Sequence, residues 1–577
     1  MLELEKLQQR LRAARGEVPA DLVIRGGRVL DVFTQEIVET DVAVSGGRIV
    51  GLGRYEGREV FDAAGRFVSP GFIDGHFHVE SSMLSPPELA RAVLSHGTTA
   101  IVADPHEIAN VMGVEGIRYM LRASRGLAVD FFFMLPSCVP ATPLETSGAA
   151  LSAADLAVFR EEERVLGLAE MMNYPGVAAG SPDVLEKILL FSDRVCDGHA
   201  PLLSGKALNA YLTAGIRSDH ECTNLAEAQE KLRAGMHILI REGTQAKNLA
   251  DLMPLVTPVT LPRCSLVTDD LHPHDLLEKG HLDFLLGRAC ESGISPLQAI
   301  CMVTINTAQY FRLHDRGAVA PGRRADLAIL SSLQPVRVEA VIKDGRIVCD
   351  GKGLCWEAPP VPEGTAAAMN IRPFSIEALS VSERGGNIRV IGMIPDQILT
   401  EARLLRPTIA GGRVAADPGR DLAKIAVVER HRGTGNIGLG FVQGFGLREG
   451  ALASSVAHDS HNVICAGVSD ADMMAAVKAV EGMGGGLAVV RKGAVLAEMP
   501  LPIAGLVSDR PLAAVAAGWR KMREASRALG CSLREPFMAL SFLALPVIPA
   551  LKITDRGLVD VDRFSLVPLF EGAAEMR

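Results

Sequence analysis

The chain has 577 residues, too many for one ordinary domain and enough for two to four. Hydrophobic residues make up 48% and charged residues 22%, which excludes a disordered chain and fits a globular enzyme. A net charge of −9 offers no basic field to nucleic acid or to an anionic membrane, so neither is expected as a partner.

Residues 1–12 read as a charged amphipathic helix rather than a signal peptide. The longest apolar stretch, about 537–551, is interrupted by Pro546 and Pro549 and is too short to span a bilayer. Ten cysteines are scattered without a C-x-x-C pair, which points to reduced thiols and a cytoplasmic protein. From residue 20 to 66 short apolar–polar alternations are broken by glycine. Val42-Ala-Val-Ser-Gly-Gly-Arg-Ile-Val50 reads as strand, turn, strand, and a near-copy returns as Val341-Ile-Lys-Asp-Gly-Arg-Ile-Val348. The two β-rich pieces, 1–66 (with the N-terminal helix) and 311–358, are therefore expected to form one small β-sandwich domain with residues 67–310 inserted between them.

The inserted segment alternates strand-like and helix-like runs. The first strand is expected from Phe67-Val68 through Phe72-Ile73. The strand ends fall near His76/His78, Asp104–Glu107, Pro136-Ser137, Glu170, His199, His220, Arg241-Glu242 and Asp269-Asp270. Eight units of this length predict a (β/α)8 TIM barrel, with a doubly wound sheet as the alternative. Helices are expected at Pro86–Ser95, Ala207–Ala214 and Leu225–Ala234. Pro359 to Gly364 reads as a linker, and 365–577 as a C-terminal α+β domain with helices at Asp470–Glu481 and Leu512–Ala528.

A barrel builds chemistry at the C-terminal ends of its strands, and this chain places its histidines and carboxylates there. His76 and His78, two apart, converge on one spot. With Glu170, His199, His220 and Asp269 they exceed what one tetrahedral ion needs, so two divalent ions bridged by Glu170 fit better. Such ions lower the pKa of water to about 7, and Asp269 can also take up the proton of that water.

These residues sit in motifs that resemble the bacterial adenine deaminase family of the amidohydrolase superfamily. The motifs are Gly71-Phe-Ile-Asp-Gly-His-Phe-His-Val-Glu-Ser-Ser82, Ala103-Asp-Pro-His-Glu-Ile-Ala109, Leu168-Ala-Glu-Met-Met-Asn-Tyr-Pro-Gly176, Asp197-Gly-His-Ala200, Ser218-Asp-His-Glu221 and Val267-Thr-Asp-Asp-Leu-His-Pro273. Ala457-His-Asp-Ser-His-Asn462 and Pro500-Leu-Pro-Ile-Ala-Gly505 resemble that family's extra domain, so the likeness spans essentially the whole chain. It implies hydrolysis of adenine to hypoxanthine and ammonia with a pair of manganese, iron or zinc ions, held by His76, His78, Glu170, His199, His220 and Asp269. Many amidohydrolases bridge their metals with a lysine on the fourth strand. Val165-Leu-Gly-Leu-Ala-Glu-Met-Met172 has none, so Glu170 takes that place.

Attack at C6 of the ring is helped by a proton on N1, for which Glu107 or His106 is the candidate and Glu80 a further one. Asp270 is the candidate acceptor for the imidazole edge of the purine. For His106 and Glu107, orienting a ligand and touching substrate both stay open. His272 and His274 are expected in solvent, and Cys138, Cys196 and Cys264 as buried small hydrophobes. The His458-Asp459-Ser460-His461 stretch is either a structural turn, a loop closing the barrel mouth or a further metal site.

Rival readings are a hydrolase of cyclic amides, N-acyl amino acids or modified adenine, and a non-catalytic scaffold. Arg241 is the one obvious candidate for holding a substrate carboxylate. Barrel enzymes with added domains commonly self-associate, so a homo-oligomer is expected, first of all a dimer.

Overall fold

A glycine pair sets the second hairpin of the chain. In a computed structural model that describes residues 2–361, 369–394 and 397–571, strands β1 (Ala20–Asp31), β2 (Glu36–Ser45) and β3 (Arg48–Leu52) run antiparallel in turn. The β2–β3 turn needs positive φ at both central positions, and Gly46 and Gly47 supply 55° and 72°. β4 (Gly57–Asp62) and β5 (Phe67–Pro70) both lie parallel to β1.

The strand expected from Phe67 to Ile73 is two strands. Pro70 has no N–H to continue a ladder, and the Gly71 N–H turns aside to the Asp326 carbonyl, 2.8 Å away. Beyond this break, β6 (Phe72–Phe77) begins a second sheet, while β5 stays with the first.

Seven further parallel strands follow: β7 (Thr98–Ala103), β8 (Asp130–Leu135), β9 (Val165–Met171), β10 (Val195–Gly198), β11 (Ser218–Asp219), β12 (His237–Arg241) and β13 (Cys264–Val267). They form two arcs, ordered β10-β9-β8-β7-β6 and β11-β12-β13. At one junction Phe77 bridges Asp269, whose N–H donates to the His76 carbonyl at 3.0 Å. At the other, the Arg217 N–H reaches the Cys196 carbonyl at 3.0 Å. β6, β7, β12 and β13 are buried along their whole length, as expected of parallel strands covered on both faces. Helices Pro86–Leu94, Gly205–Thr213 and Leu225–Arg233 lie within a residue or two of their expected positions.

After the arcs the chain returns to the first sheet. β14 (Leu327–Leu333), β15 (Val336–Lys343), β16 (Arg346–Asp350) and β17 (Gly353–Leu354) complete the nine-stranded order β17-β16-β15-β14-β5-β1-β2-β3, with β4 beside β1. The two similar sequence motifs are thus the β2–β3 and β15–β16 hairpins of one sheet. Residues 362–364 of the expected linker, and the expected start of the last unit at 365, lie outside the described residues.

The C-terminal part is built on an eight-stranded sheet in which Leu422–Val428 pairs with both Ile437–Gln443 and Val463–Gly467. Helix Asp470–Gly482 covers one face through Met473, Val477 and Val480, and Leu512–Ala528 forms the second expected helix. Gly484 and Gly485 lie in the turn after the first of these helices, and Gly486 opens the next strand. Among the described residues no helix is long and apolar enough to cross a membrane.

This part is tied to the arcs by hydrogen bonds from Thr146 N–H to Asp555 (2.8 Å), Thr554 Oγ1 to the Leu144 carbonyl (2.8 Å) and Asn462 Nδ2 to the Thr146 carbonyl (2.7 Å). His272 and His274, expected in solvent, are buried instead. Trp519 packs over both, its ring centroid 4.5 Å from His272 and 6.3 Å from His274, because the C-terminal part covers their loop.

Candidate metal centre and its cavity

All six residues expected as ligands meet at the C-terminal ends of the parallel strands, and all are buried. His76 Nε2 and His78 Nε2 are 3.1 Å apart, and lie 3.4 and 3.2 Å from Asp269 Oδ1. Glu170 lies between two pairs of imidazoles. Its Oε2 is 2.7 Å from His199 Nδ1 and 3.0 Å from His220 Nε2, while its Oε1 is 3.7 Å from His78 Nε2. His76 stacks on His220 at 4.1 Å.

Local structure aims these groups. The Tyr211 hydroxyl donates to the Met171 carbonyl at 2.8 Å and accepts from the His199 N–H at 3.0 Å, pinning the ends of β9 and β10 together. Buried Lys231 donates to the Ala200 carbonyl, Asp219 and Glu227, each at 2.6 Å, and Asp219 in turn accepts from the Ala200 N–H. That network fixes the residues flanking His199 and His220. Asp269 sits at φ 59°, a left-handed conformation that a side chain normally avoids and that the backbone bonds to His76 and His78 hold in place.

The electrostatics follow from crowding charge in a dry site. Burial pushes the Glu170 carboxyl up, but His199 and His220 outweigh it and hold it well below the usual range. Burial likewise pulls His78 down, yet Asp269 and Glu170 raise it well above an ordinary imidazole. His199 is raised to about 9 against its own burial, first by Glu221 and then by Glu170. Convergent imidazole and carboxylate donors of this kind suit a borderline divalent cation, and overlapping groups (His76, His78 and Asp269; His76, Glu170 and His220) are close enough to hold one each.

His106 and Glu107 open the helix His106–Met112 and line the same cavity. His106 Nδ1 lies 3.2 Å from Asp104 and 3.3 Å from Glu170, so it can also join the metal-binding groups. Ser81 Oγ links Glu107 (3.1 Å) to Asp270 (2.5 Å). Glu80 is placed differently from the expectation of a substrate contact. One of its oxygens accepts the Ile108 N–H at 3.0 Å, it does not line the cavity, and burial raises its carboxyl. The helix start draws the carboxylate to its free N–H groups.

Arg241 does not offer a free guanidinium to a substrate. It donates two bonds to Glu221 and one to Asp269 at 2.8 Å. Glu221 was legible only as the residue after His220, and its place beside His199 and His220 was missed. The cavity's other wall was missed as well. Ile398, Phe542, Leu545 and Ile548 line it from the C-terminal part, with His458 and Asp459. Asp459 Oδ1 stands 3.7 Å from His106 Nε2, which brings the His458–His461 stretch to the cavity. Cys138, Cys196 and Cys264 are buried, and burial pushes the thiols of the latter two up to about 12.

Residues 67–348 match the model of the amidohydrolase family. Residues 397–565 match the adenine deaminase C-terminal domain. The adenine deaminase of Desulfatibacillum aliphaticivorans is 52% identical over 566 residues, covering 98% of this chain and 99% of its own length. That of Oleidesulfovibrio alaskensis is 50% identical over 565 residues (97% and 98%), and adenine deaminase 2 of Carboxydothermus hydrogenoformans is 48% identical over 568 (98% and 100%). The chain belongs to the adenine deaminase family.

Proposed function

We propose that this protein hydrolyses adenine to hypoxanthine and ammonia, a purine-salvage reaction, with two divalent ions (Mn2+, Fe2+ or Zn2+) held by His76, His78, Glu170, His199, His220 and Asp269. The observation that carries this reading is the position of Glu170 between two imidazole pairs, in a chain whose relatives at about 50% identity are named adenine deaminases. When bound, the ions supply an acidified water near neutral pH.

The protein's own groups do the rest. Asp269 takes the proton of the attacking water and returns it to the departing amine. Glu107, whose carboxyl burial raises well above the usual range, is the group that offers a proton to N1, with His106 as its neighbour in the same role. Asp270 accepts from the imidazole edge of the base. The apolar wall of Ile398, Phe542, Leu545 and Ile548 takes the flat ring and keeps bulk water out.

We read the two arcs as one closed (β/α)8 barrel at about 67–310. It is inserted in a β-sandwich domain built from 1–66 and 311–358 and followed by the C-terminal α+β domain, 365–577. Ten cysteines, none paired with another, support a cytoplasmic protein. The working form is a homo-oligomer, a dimer first of all, acting on a free base with no nucleic-acid or membrane partner. The engagement of Arg241 by Glu221 and Asp269 disfavours substrates that carry a carboxylate.

The test is to express the protein with added manganese and little free iron, then follow ammonia release and the ultraviolet change from adenine to hypoxanthine. Metal-dependent turnover that Glu170→Gln abolishes is the expected result. Two bound metals per chain without turnover of adenine would overturn the substrate assignment.

A further inference from the structure

A run of hydrogen-bonding groups leads from the C-terminal part of the chain to Asp270. The Ser81 hydroxyl lies 2.5 Å from Asp270 Oδ1 and 3.1 Å from Glu107 Oε1. A hydroxyl carries one hydrogen, so it donates to one carboxyl and accepts from the other. The shorter contact takes the Ser81 hydrogen to Asp270, which makes Glu107 Oε1 a donor bearing its own proton.

The second oxygen of Glu107 must then accept. Glu107 Oε2 is buried without a hydrogen-bond partner among the described residues and faces His461 Nε2, equally unpartnered, 3.6 Å away. His461 Nδ1 accepts the Ala457 N–H at 3.2 Å. A neutral imidazole that accepts at Nδ1 carries its proton on Nε2, and the burial that holds His461 well below the usual imidazole range keeps it neutral. The Nε2–H is therefore on the ring nitrogen that faces Glu107 Oε2, 3.6 Å away and just beyond hydrogen-bond length.

Glu107, His458 and His461 are also close enough together to suggest a third ion site. The same tautomer argues against it, because neither nitrogen of His461 then has a lone pair to offer.

The backbone around His461 is held firmly. The residue sits at φ 55°, its carbonyl accepts from Arg430 Nε, and Asn462 anchors the next position to the Thr146 carbonyl. A residue kept in the left-handed region by contacts on both sides is the pattern of a side chain aimed for a purpose.

We propose that His461 is a positioning residue of the deamination site. Through Nε2–H it holds the Glu107 carboxyl with its proton-bearing edge toward Ser81 and the cavity. The C-terminal part thereby sets the direction of one continuous chain, Ala457 N–H to His461, His461 to Glu107, Glu107 to Ser81, Ser81 to Asp270. This rests on the reading of Glu107 as the group that supplies the proton.

The experiment uses the full chain, loaded with manganese, and three variants at one position. His461→Phe and His461→Gln both lose the acceptor for Ala457 and share that structural cost, but only Gln returns an N–H near the Nε2 position. His461→Asn restores the acceptor without the donor and stands in for Phe if Phe does not fold.

Expected is a loss of about tenfold or more in kcat for Phe and Asn, with KM within about twofold and metal content unchanged, and recovery of most of that loss in Gln. Equal kcat in Gln and in the donor-free variants would overturn the proposal. Glu107→Gln separates the two readings. If it turns over adenine normally, the role of Glu107 falls. If it is impaired while Phe and Asn are not, only the role of His461 falls.

Discussion

Single side chains at this site act mostly on other side chains. Tyr211 is the plainest case, because one hydroxyl joins the strand that carries Glu170 to the residue that carries an imidazole. Tyr211→Phe should cost about 1 kcal/mol of stability and about tenfold in kcat, since ligand-orienting groups commonly contribute that much. Denaturant titration beside steady-state kinetics checks both, and normal kcat in the variant would show that Glu170 and His199 need no such tie. A second expectation concerns protons. His78 is raised well above an ordinary imidazole and His199 to about 9, so at neutral pH the metal-free protein holds protons that a cation must displace. Manganese uptake should therefore release protons and tighten as pH rises, which calorimetry in buffers of different ionisation heat will measure. The candidate ligands were legible in the sequence because most of them end apolar runs, as His76, His78, Glu170 and Asp269 do. Glu221, Asp459 and His461 were not assigned, because their roles depend on which nitrogen or oxygen faces which neighbour, and spacing along a chain carries no such information.

At the level of strands and helices, charge ties neighbouring elements together at both ends of the arcs. Lys231, on the helix after β11, has two carboxylate partners and is itself fully buried. Lys231→Met leaves Asp219 and Glu227 without their cation and should destabilise the protein by about 3–5 kcal/mol, read by denaturant unfolding. At the opposite end, Asp130 opens β8 and meets Arg316 at 2.6 Å and Lys343, on β15, at 3.0 Å. Burial raises the Asp130 carboxyl, but Lys343 and Arg316 outweigh it and lower it from 3.8 to about 2. A carboxyl lowered on folding contributes stability that is present above pH 3.8 and is lost as pH falls toward 2. The contribution is about 2 kcal/mol, and unfolding curves of Asp130→Asn should lose this part of the acid sensitivity while losing stability at pH 7. Helix positions were readable from periodicity to within a residue or two. The division of the first strand at Gly71 was not, because an apolar run gives no sign that its two halves pair with different sheets.

Taken whole, the molecule closes its cavity with residues far apart in sequence. Trp519 covers His272 and His274 and donates its indole N–H to Glu535 at 3.2 Å, so it belongs to the contact between the arcs and the C-terminal part. Trp519→Ala should cost about 3–5 kcal/mol, and differential scanning calorimetry should show the C-terminal part melting ahead of the rest. One unchanged transition would mean that this contact does not couple the two parts.

The pairing of β5 with β14 has a consequence for how the protein is made. Pro70 lies opposite Leu327, so the edge of β5 waits for a strand more than two hundred residues further along the chain. At ordinary rates of synthesis, about 5–20 residues per second, that wait is on the order of 10–50 s. During that time the first strands are on the ribosome with an apolar edge uncovered. A nascent chain stalled before residue 327 should therefore be held by chaperones and cut readily by protease, and one released after β17 should resist both.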